Sequence, residues 1–250
     1  MRYAVLSDVH ANLEALTAVL EDIEGRSVRK VFFLGDAVGY GADPVDALRL
    51  IEEISDEVVA GNHDHIIGTL TDMEDTSIGV VSSIRWTKGM LSNQEIEKLA
   101  NLPLEYSGDG IHCVHGSPHN PRQWHYMMAA DDAKKGFAAS NEKIIFVGHS
   151  HIPVVFAEIE HRKFFAGEMR RVKTIKAETM PISDKYRYII NVGSVGQPRD
   201  GDPRAAYGVY DSDAQTYTLH RISYDVEKAS DRIIKAGLPK ELGERLKVGR

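Results

Sequence analysis

Residues 3–12 read Tyr3-Ala4-Val5-Leu6-Ser7-Asp8-Val9-His10-Ala11-Asn12. A continuous apolar run that stops at polar residues is how a strand covered on both faces reads, since it has no water-facing side to make polar. Asn12 then suits a helix cap, because its short amide can accept from the first free backbone N–H groups. Leu13, Leu16, Val19, Leu20 and Ile23 follow at helical intervals, and Gly25 comes after the last of them. A second apolar run, Val31 to Leu34, completes strand, helix and strand. The chain therefore begins as an α/β fold.

The same kind of run recurs at Glu57 to Ala60, Ile111 to Val114 and Ile144 to Val147. A helix fits Pro44 to Ile54, with Asp43 as cap and Pro44 in the first turn, where its missing N–H costs nothing. Two more fit Thr76 to Met90 and Asn93 to Ala100. Beyond Val154 apolar and polar residues alternate, as in Tyr186 to Val192, Ala205 to Tyr210 and Thr216 to Ile222, which predicts antiparallel strands. Asp225 to Leu246 reads as one or two closing helices broken near Gly237 and Pro239. With no internal repeat and no low-complexity linker, residues 1–250 are expected to form a single domain.

Thirty basic against 37 acidic residues give a net charge of −7, which excludes a surface built throughout to neutralise a nucleic-acid backbone. Eleven histidines and one cysteine exclude an intrachain disulfide framework and any thiolate-rich zinc or iron–sulfur cluster. A metal site here must use nitrogen and oxygen ligands. The apolar stretch before Asp8 is too short for a signal peptide, and no run approaches the ~18 residues of a membrane-spanning helix. A cytoplasmic protein without a membrane partner is expected, with Cys113 as inert core.

The strand ends carry the chemistry. In order they offer Asp8-Val9-His10, Gly35-Asp36, Gly61-Asn62-His63-Asp64, His115-Gly116 and Gly148-His149-Ser150-His151. Taken singly, each is an ordinary turn or a hydrogen-bonded core histidine. Five independent turns have no reason to choose carboxylate, imidazole or amide every time, so together they read as metal ligands. In an extended stretch residues two apart point the same way, which would aim Asp8 with His10, and His149 with His151, at one ion each. Such donors suit Mn²⁺, Fe, Ni²⁺, Co²⁺ or Zn²⁺ better than Ca²⁺ or Cu(I).

A dinucleotide-binding fold would need a glycine loop where Asp8 stands, and a serine hydrolase would need a Gly-x-Ser-x-Gly elbow that is absent. Gly193-Ser194-Val195-Gly196 is a tight glycine loop instead, with Gln197 and Arg199 as candidate substrate contacts along with Asn12. Arg162 to Lys176 is basic with Phe164 and Phe165 between, and reads as a solvated hairpin rather than a flap over substrate.

The five motifs, in this order, resemble those of the calcineurin-like metallophosphoesterase superfamily. Gly193 to Asp200 resembles the closing segment of its small bacterial and archaeal phosphodiesterase branch. The resemblance implies a four-layer α/β/β/α sandwich of two mixed sheets flanked by helices, with a dinuclear site at one edge. It implies Asp8, His10 and His151 on one divalent ion, Asn62, His115 and His149 on the other, and Asp36 bridging both, with Mn²⁺ preferred. His63 matches the family's non-ligand histidine beside the leaving group. The implied activity is hydrolysis of a small phosphodiester or nucleotide by a metal-bridging hydroxide, nucleic acid entering only as substrate. The alternatives are a phosphomonoesterase, a dinucleoside polyphosphate hydrolase, or a non-catalytic metal-binding scaffold. Two departures matter. Ala11 stands where relatives usually have glycine, and its Cβ is expected to narrow the approach of substrate. Asp64 replaces the glutamate of protein Ser/Thr phosphatases and no Asp-Arg-Gly follows Gly35-Asp36, which disfavours that activity and leaves open what orients His63.

Overall fold

The computed structural model describes every residue except 70, 72–77 and 165–166. One sheet runs in the order β3 (Glu57–Val58), β2 (Lys30–Phe33), β1 (Arg2–Leu6), β11 (Ala205–Asp211), β12 (Thr216–Ile222), β9 (Thr179–Pro181). The other runs β4 (Glu105–Gly108), β5 (Ile111–Val114), β6 (Ile144–Val147), β10 (Arg187–Asn191), β7 (Val154–Phe164), β8 (Gly167–Ile175). Both sheets are mixed. β1, β2 and β3 are parallel in the first, and β5, β6 and β10 in the second; β11, β12, β9, β7, β8 and β4 pair antiparallel.

Alternation along the strands builds the layers. Leu6 and Phe33 face helices α1 (Leu13–Glu24) and α2 (Pro44–Ile54), while their neighbours Val5 and Phe32 face the other sheet. In the second sheet Ile144 and Phe146 meet that central layer, and Ile145 and Val147 meet α6 (Ala130–Ala139) through Ala133 and Phe137. Helices, sheet, sheet and helix thus form four layers, which is why these strands read as unbroken apolar runs. α3 (Asn62–Thr69), α4 (Ile78–Met90) and α5 (Asn93–Ala100) join the first helical layer, and α7 (Val226–Lys235) and α8 (Lys240–Glu244) close the chain. No described helix is long and apolar enough to cross a membrane.

Several boundaries move for local reasons. β3 ends at Val58, and the third motif is the start of α3 rather than a turn. α6 has no counterpart in the sequence reading, and the Thr76 start expected for α4 lies outside the described residues. Asn12 does cap α1, accepting from Ala15 N at 3.1 Å, but Asp43 makes no cap bond and pairs with Arg232 of α7 instead. The basic segment forms the β7–β8 hairpin, where Arg162 and Arg170 pair with Glu160, Glu158 and Glu168; Phe165 lies outside the described residues.

Glu158, 5% exposed, is the buried anion of that hairpin, shared by Arg170 and by Arg187 of β10. Arg187 also donates to the carbonyls of Phe137 and Glu142, both at 3.0 Å, and so ties α6 to its sheet. Glu158→Ala leaves two guanidinium groups without their shared partner and should cost about 3 kcal/mol of stability. An unchanged urea midpoint would remove this role from Glu158.

Candidate metal centre

The parallel strands end at one edge of the sandwich, and there the backbone turns sharply. Asp8, His10, Asp36, His149 and His151 have φ of 54°, 49°, 57°, 65° and 60°. This left-handed region costs non-glycine residues roughly 1–3 kcal/mol each and persists only where surrounding contacts enforce it. Here they do. Asp8 N donates to Gly35 O at 3.0 Å, His10 N to Asp36 O at 2.9 Å, and Asp8 O accepts from Gly196 N at 2.9 Å and Ser194 Oγ at 2.8 Å. The expected extended geometry of Asp8-x-His10 and His149-x-His151 is therefore incorrect: kinks pinned by neighbouring loops bring Asp8 and His10 into one donor group, and they separate His149 from His151, which fall in different groups rather than on one ion.

Among the described residues three groups of donor atoms result: Asp8, His10, His151; Asp36, His115, His149; and His10, Asp36, His63. Asp36 Oδ2 lies 3.6 Å from His10 Nε2 and 3.3 Å from His115 Nε2, between the first two groups. Asp8 Oδ1 lies 3.2 Å from His151 Nε2. The far nitrogens are anchored to carbonyls: His10 Nδ1 donates to Val38 O at 3.2 Å, His115 Nδ1 to Leu34 O at 2.8 Å and His151 Nδ1 to Gln197 O at 2.6 Å. Donation through Nδ1 turns Nε2 inward, where it can ligate a metal that displaces any proton it carries.

The residues fit such an ion on three counts. His10 Nε2 and His151 Nε2 face each other at 3.3 Å, and with both Nδ1 atoms donating to carbonyls a metal ion between them would take up the two lone pairs. Among the described residues Asp8 Oδ1 and Asn62 Oδ1 are buried without a hydrogen-bond partner, a costly state in the absence of a ligand. Both carboxylates are also kept ionised. Burial works against the charge of Asp8, yet His151 and His115 outweigh it and pull its pKa below the ordinary value. At Asp36 burial is outweighed by His115 and His63 in the same way. Burial lowers His115 too, but Asp36 and Asp8 carry it up to about 9.

Residues 1–215 match the calcineurin-like phosphoesterase superfamily domain. The chain belongs to that superfamily. It is 38% identical over 254 residues to an uncharacterized protein of Methanocaldococcus jannaschii, covering 99% of this chain and 98% of that one. A metallophosphoesterase of Sphaerobacter thermophilus is similar in structure, with a TM-score of 0.83 at 34% identity over 100% of this chain and 99% of the other. A hypothetical protein of Pyrococcus horikoshii shares the fold at 20% identity, with a TM-score of 0.75 over 100% and 98% of the two chains. Superfamily membership and the His/Asp groups both point to divalent metal ions.

Within this superfamily fold His63 is held by packing. Its ring lies 4.4 Å from that of Tyr40 and 4.9 Å from that of His10, and Nδ1 is buried without a hydrogen-bond partner. Gly39, at φ +88°, makes room for it: a Cβ there would come within 2.5 Å of His63 Nδ1. Asp64, adjacent in sequence, does something else. Its carboxylate accepts from Asp36 N at 2.7 Å, Ala37 N at 3.0 Å, Val38 N at 3.3 Å and Gly61 N at 3.1 Å. Asp36 Oδ1 in turn accepts from His63 N at 2.8 Å. The loop after β2 and the start of α3 are thereby locked together. Burial, then the charge of Asp36, push the Asp64 carboxyl up to about 7, with the backbone donors opposing.

Two sequence expectations fail here for simple reasons. Asn12 is 4% exposed, and its amide is committed to Gly196 O, Tyr224 Oη and Ala15 N, so it has no free group for substrate. Ala11 is fully buried at φ 53° and cannot narrow any approach from solvent. Gln197, 1% exposed, positions other residues: its carbonyl holds His151 and its Oε1 accepts from Arg199 at 2.7 Å. Sequence reading missed Tyr40, and also Tyr126, whose ring stacks on His149 at 4.2 Å. Among the described residues Asp64→Ala leaves four buried N–H groups without an acceptor, each worth about 1–3 kcal/mol. The variant should unfold at markedly lower urea, and a midpoint near that of the parent would refute the lock.

Proposed function

We propose that this chain is a dinuclear metal-dependent phosphodiesterase acting on a small, nucleotide-type diester in the cytoplasm. The observation that carries the reading is Asp36, whose Oδ2 faces a histidine of each ligand group at 3.6 and 3.3 Å. Asp8, His10 and His151 would hold one ion and Asn62, His115 and His149 the other, with Asp36 shared. Mn²⁺ is the first choice, and Fe, Ni²⁺, Co²⁺ or Zn²⁺ suit the same donors. Such a pair would neutralise phosphate oxygens and supply a strong nucleophile near neutral pH. The likeness of Gly193 to Asp200 to the phosphodiesterase branch supports a diester over a monoester.

The rest of the chemistry belongs to the chain. Burial lowers His63 to about 4, with Asp36 opposing and Arg199 assisting. At neutral pH its imidazole is therefore uncharged and offers an N–H hydrogen bond to the departing oxygen. Tyr40 and Gly39 fix the direction of that N–H. Asp36 serves assembly as well as charge balance, because its second oxygen holds the backbone of His63.

Turnover of bis(p-nitrophenyl) phosphate and p-nitrophenyl phosphate with added Mn²⁺ tests the proposal. The diester should be the better substrate, and metal removal by chelation should abolish both activities. His63→Ala should retain two ions per chain by elemental analysis while kcat falls about 100-fold or more. Gly39→Ala should do likewise by displacing the ring, whereas Asp36→Asn should lose metal. Full turnover in His63→Ala, or two bound ions in Asp36→Asn, would refute the corresponding role. An inactive wild type with both ions bound would instead favour a scaffold.

A further inference from the structure

The loop that leaves β5, residues 115–129, folds back on its own first turn and brings aromatic rings to the ligand group of Asp36, His115 and His149. A Cβ at Gly116 would come within 3.0 Å of the His125 carbonyl oxygen and 3.3 Å of Trp124 Cα, so the returning chain lies directly against the residue after His115. Met127, 1% exposed, fixes the return by packing in one cluster with Val114 and Phe137. Asn120 and Trp124 take φ of 54° and 49° on the way, left-handed backbone that is costly for a bulky residue such as tryptophan. The Trp124 ring then stands at 73° to that of His115, with centroids 6.0 Å apart.

Tyr126 is placed differently. Its ring lies within 13° of parallel to that of His149, with centroids 4.2 Å apart, yet the residue is 51% exposed. An aromatic ring has two faces, and here the imidazole covers one of them. Tyr126 also borders a cavity of about 160 Å³ that Ser117, His119, His125, Asp132 and Lys135 line with it. Sites that enclose drug-sized ligands run to roughly 300–1,000 Å³, so this one suits a single ring system. Its rim offers hydroxyl, imidazole and ammonium groups, while Asp132 caps α6 by accepting from Met128 N at 3.1 Å and Ala129 N at 3.0 Å. A half-exposed aromatic ring beside polar groups is suited to a nucleobase, which stacks through its π-face and hydrogen-bonds through its edge. A glycerol-type ester group has no flat face to lay on it.

We propose that Tyr126 and this cavity form a subsite for the nucleobase of the substrate, so that the diester carries a base on the His149 side of the metal centre. The inference rests on the phosphodiesterase reading above. His63 lies against His10 of the other ligand group, at 4.9 Å. The leaving-group histidine and the base subsite therefore address different ligand groups.

Calorimetric binding to the full-length, Mn²⁺-loaded protein tests this with the phosphonate analogues of AMP and of ribose 5-phosphate, whose carbon–phosphorus bond resists hydrolysis. The two share anion and sugar and differ in the base. Wild type should prefer the AMP analogue. Tyr126→Ala should weaken that analogue about tenfold or more, the range of one base stacked on one aromatic ring, and should weaken the ribose analogue much less. Tyr126→Phe keeps the ring and should retain the preference, which separates a lost stack from a disturbed His149 or a folding defect. No preference in wild type, its loss in Tyr126→Phe, or equal losses for both ligands in Tyr126→Ala would overturn the proposal. In parallel, wild type is offered bis(p-nitrophenyl) phosphate and a dinucleoside monophosphate. If neither is hydrolysed while the preference stands, the phosphodiesterase reading falls and the base subsite remains; turnover without the preference removes the subsite alone.

Discussion

Asp8 and Asp36 are charged groups with no access to water, and the architecture around them follows from that cost. Taking one carboxylate out of water costs several kcal/mol even after the protein relaxes. Histidines from both sheets and backbone N–H groups surround the pair, Asp8 accepting from His149 N at 3.0 Å and Asp36 from His63 N at 2.8 Å. Without metal His115 answers part of that charge: against burial, Asp36 and Asp8 carry its pKa up to about 9, while burial keeps the imidazoles of His10, His63 and His149 neutral. Divalent metal would complete the balance, which is why an inward-facing Nε2 pair and an orphaned Asp8 Oδ1 belong together chemically.

Bringing donors from several strand ends to one point requires backbone that an ordinary strand-to-helix connection does not have. The left-handed residues at positions 8, 10, 36, 149 and 151 are the physical expression of that requirement. Asp64 bonds the loop after β2, and Ser194 and Gly196 hold the Asp8 carbonyl, so each kink is fixed by a segment distant in sequence. Close approach is essential. A Cβ at Gly61 would meet Asp36 Oδ1 at 2.1 Å, so only glycine lets the two loops interlock.

These features explain which parts were legible in the sequence. Apolar runs such as Val31 to Leu34 and the polar residues at their ends are local signals, and they located β1, β2, β5, β6 and the donor residues. The convergence of Asp8 with His10 was foreseen, yet its cause was not, because left-handed φ at a non-glycine residue is imposed by distant bonds and leaves no local mark. Asp64 was visible as the last residue of its motif, and an acid in the first turn of a helix is an ordinary preference. Its four backbone partners come from two loops, so the lock required the tertiary structure. Asn12 misled for the opposite reason: the capping signal was correct, and the same amide was also assigned to substrate although its groups were already spent.

Tyr40 joins these strands of argument. Its ring packs on His10 and His63 on one side of the centre, and in the apolar cluster with Ala229, Ile233, Leu238, Leu242 and Leu246 of the C-terminal segment. The superfamily match ends at residue 215, so that segment lies beyond it. A leaving-group histidine held by a hydrogen-bonded carboxylate would depend little on such a segment. A histidine held by aromatic packing depends on whatever supports the aromatic ring. In this chain the support is the C-terminal segment, which couples the orientation of His63 to it. The C-terminal segment thus reaches the metal centre through Tyr40, whose ring meets its apolar side chains and His63 alike.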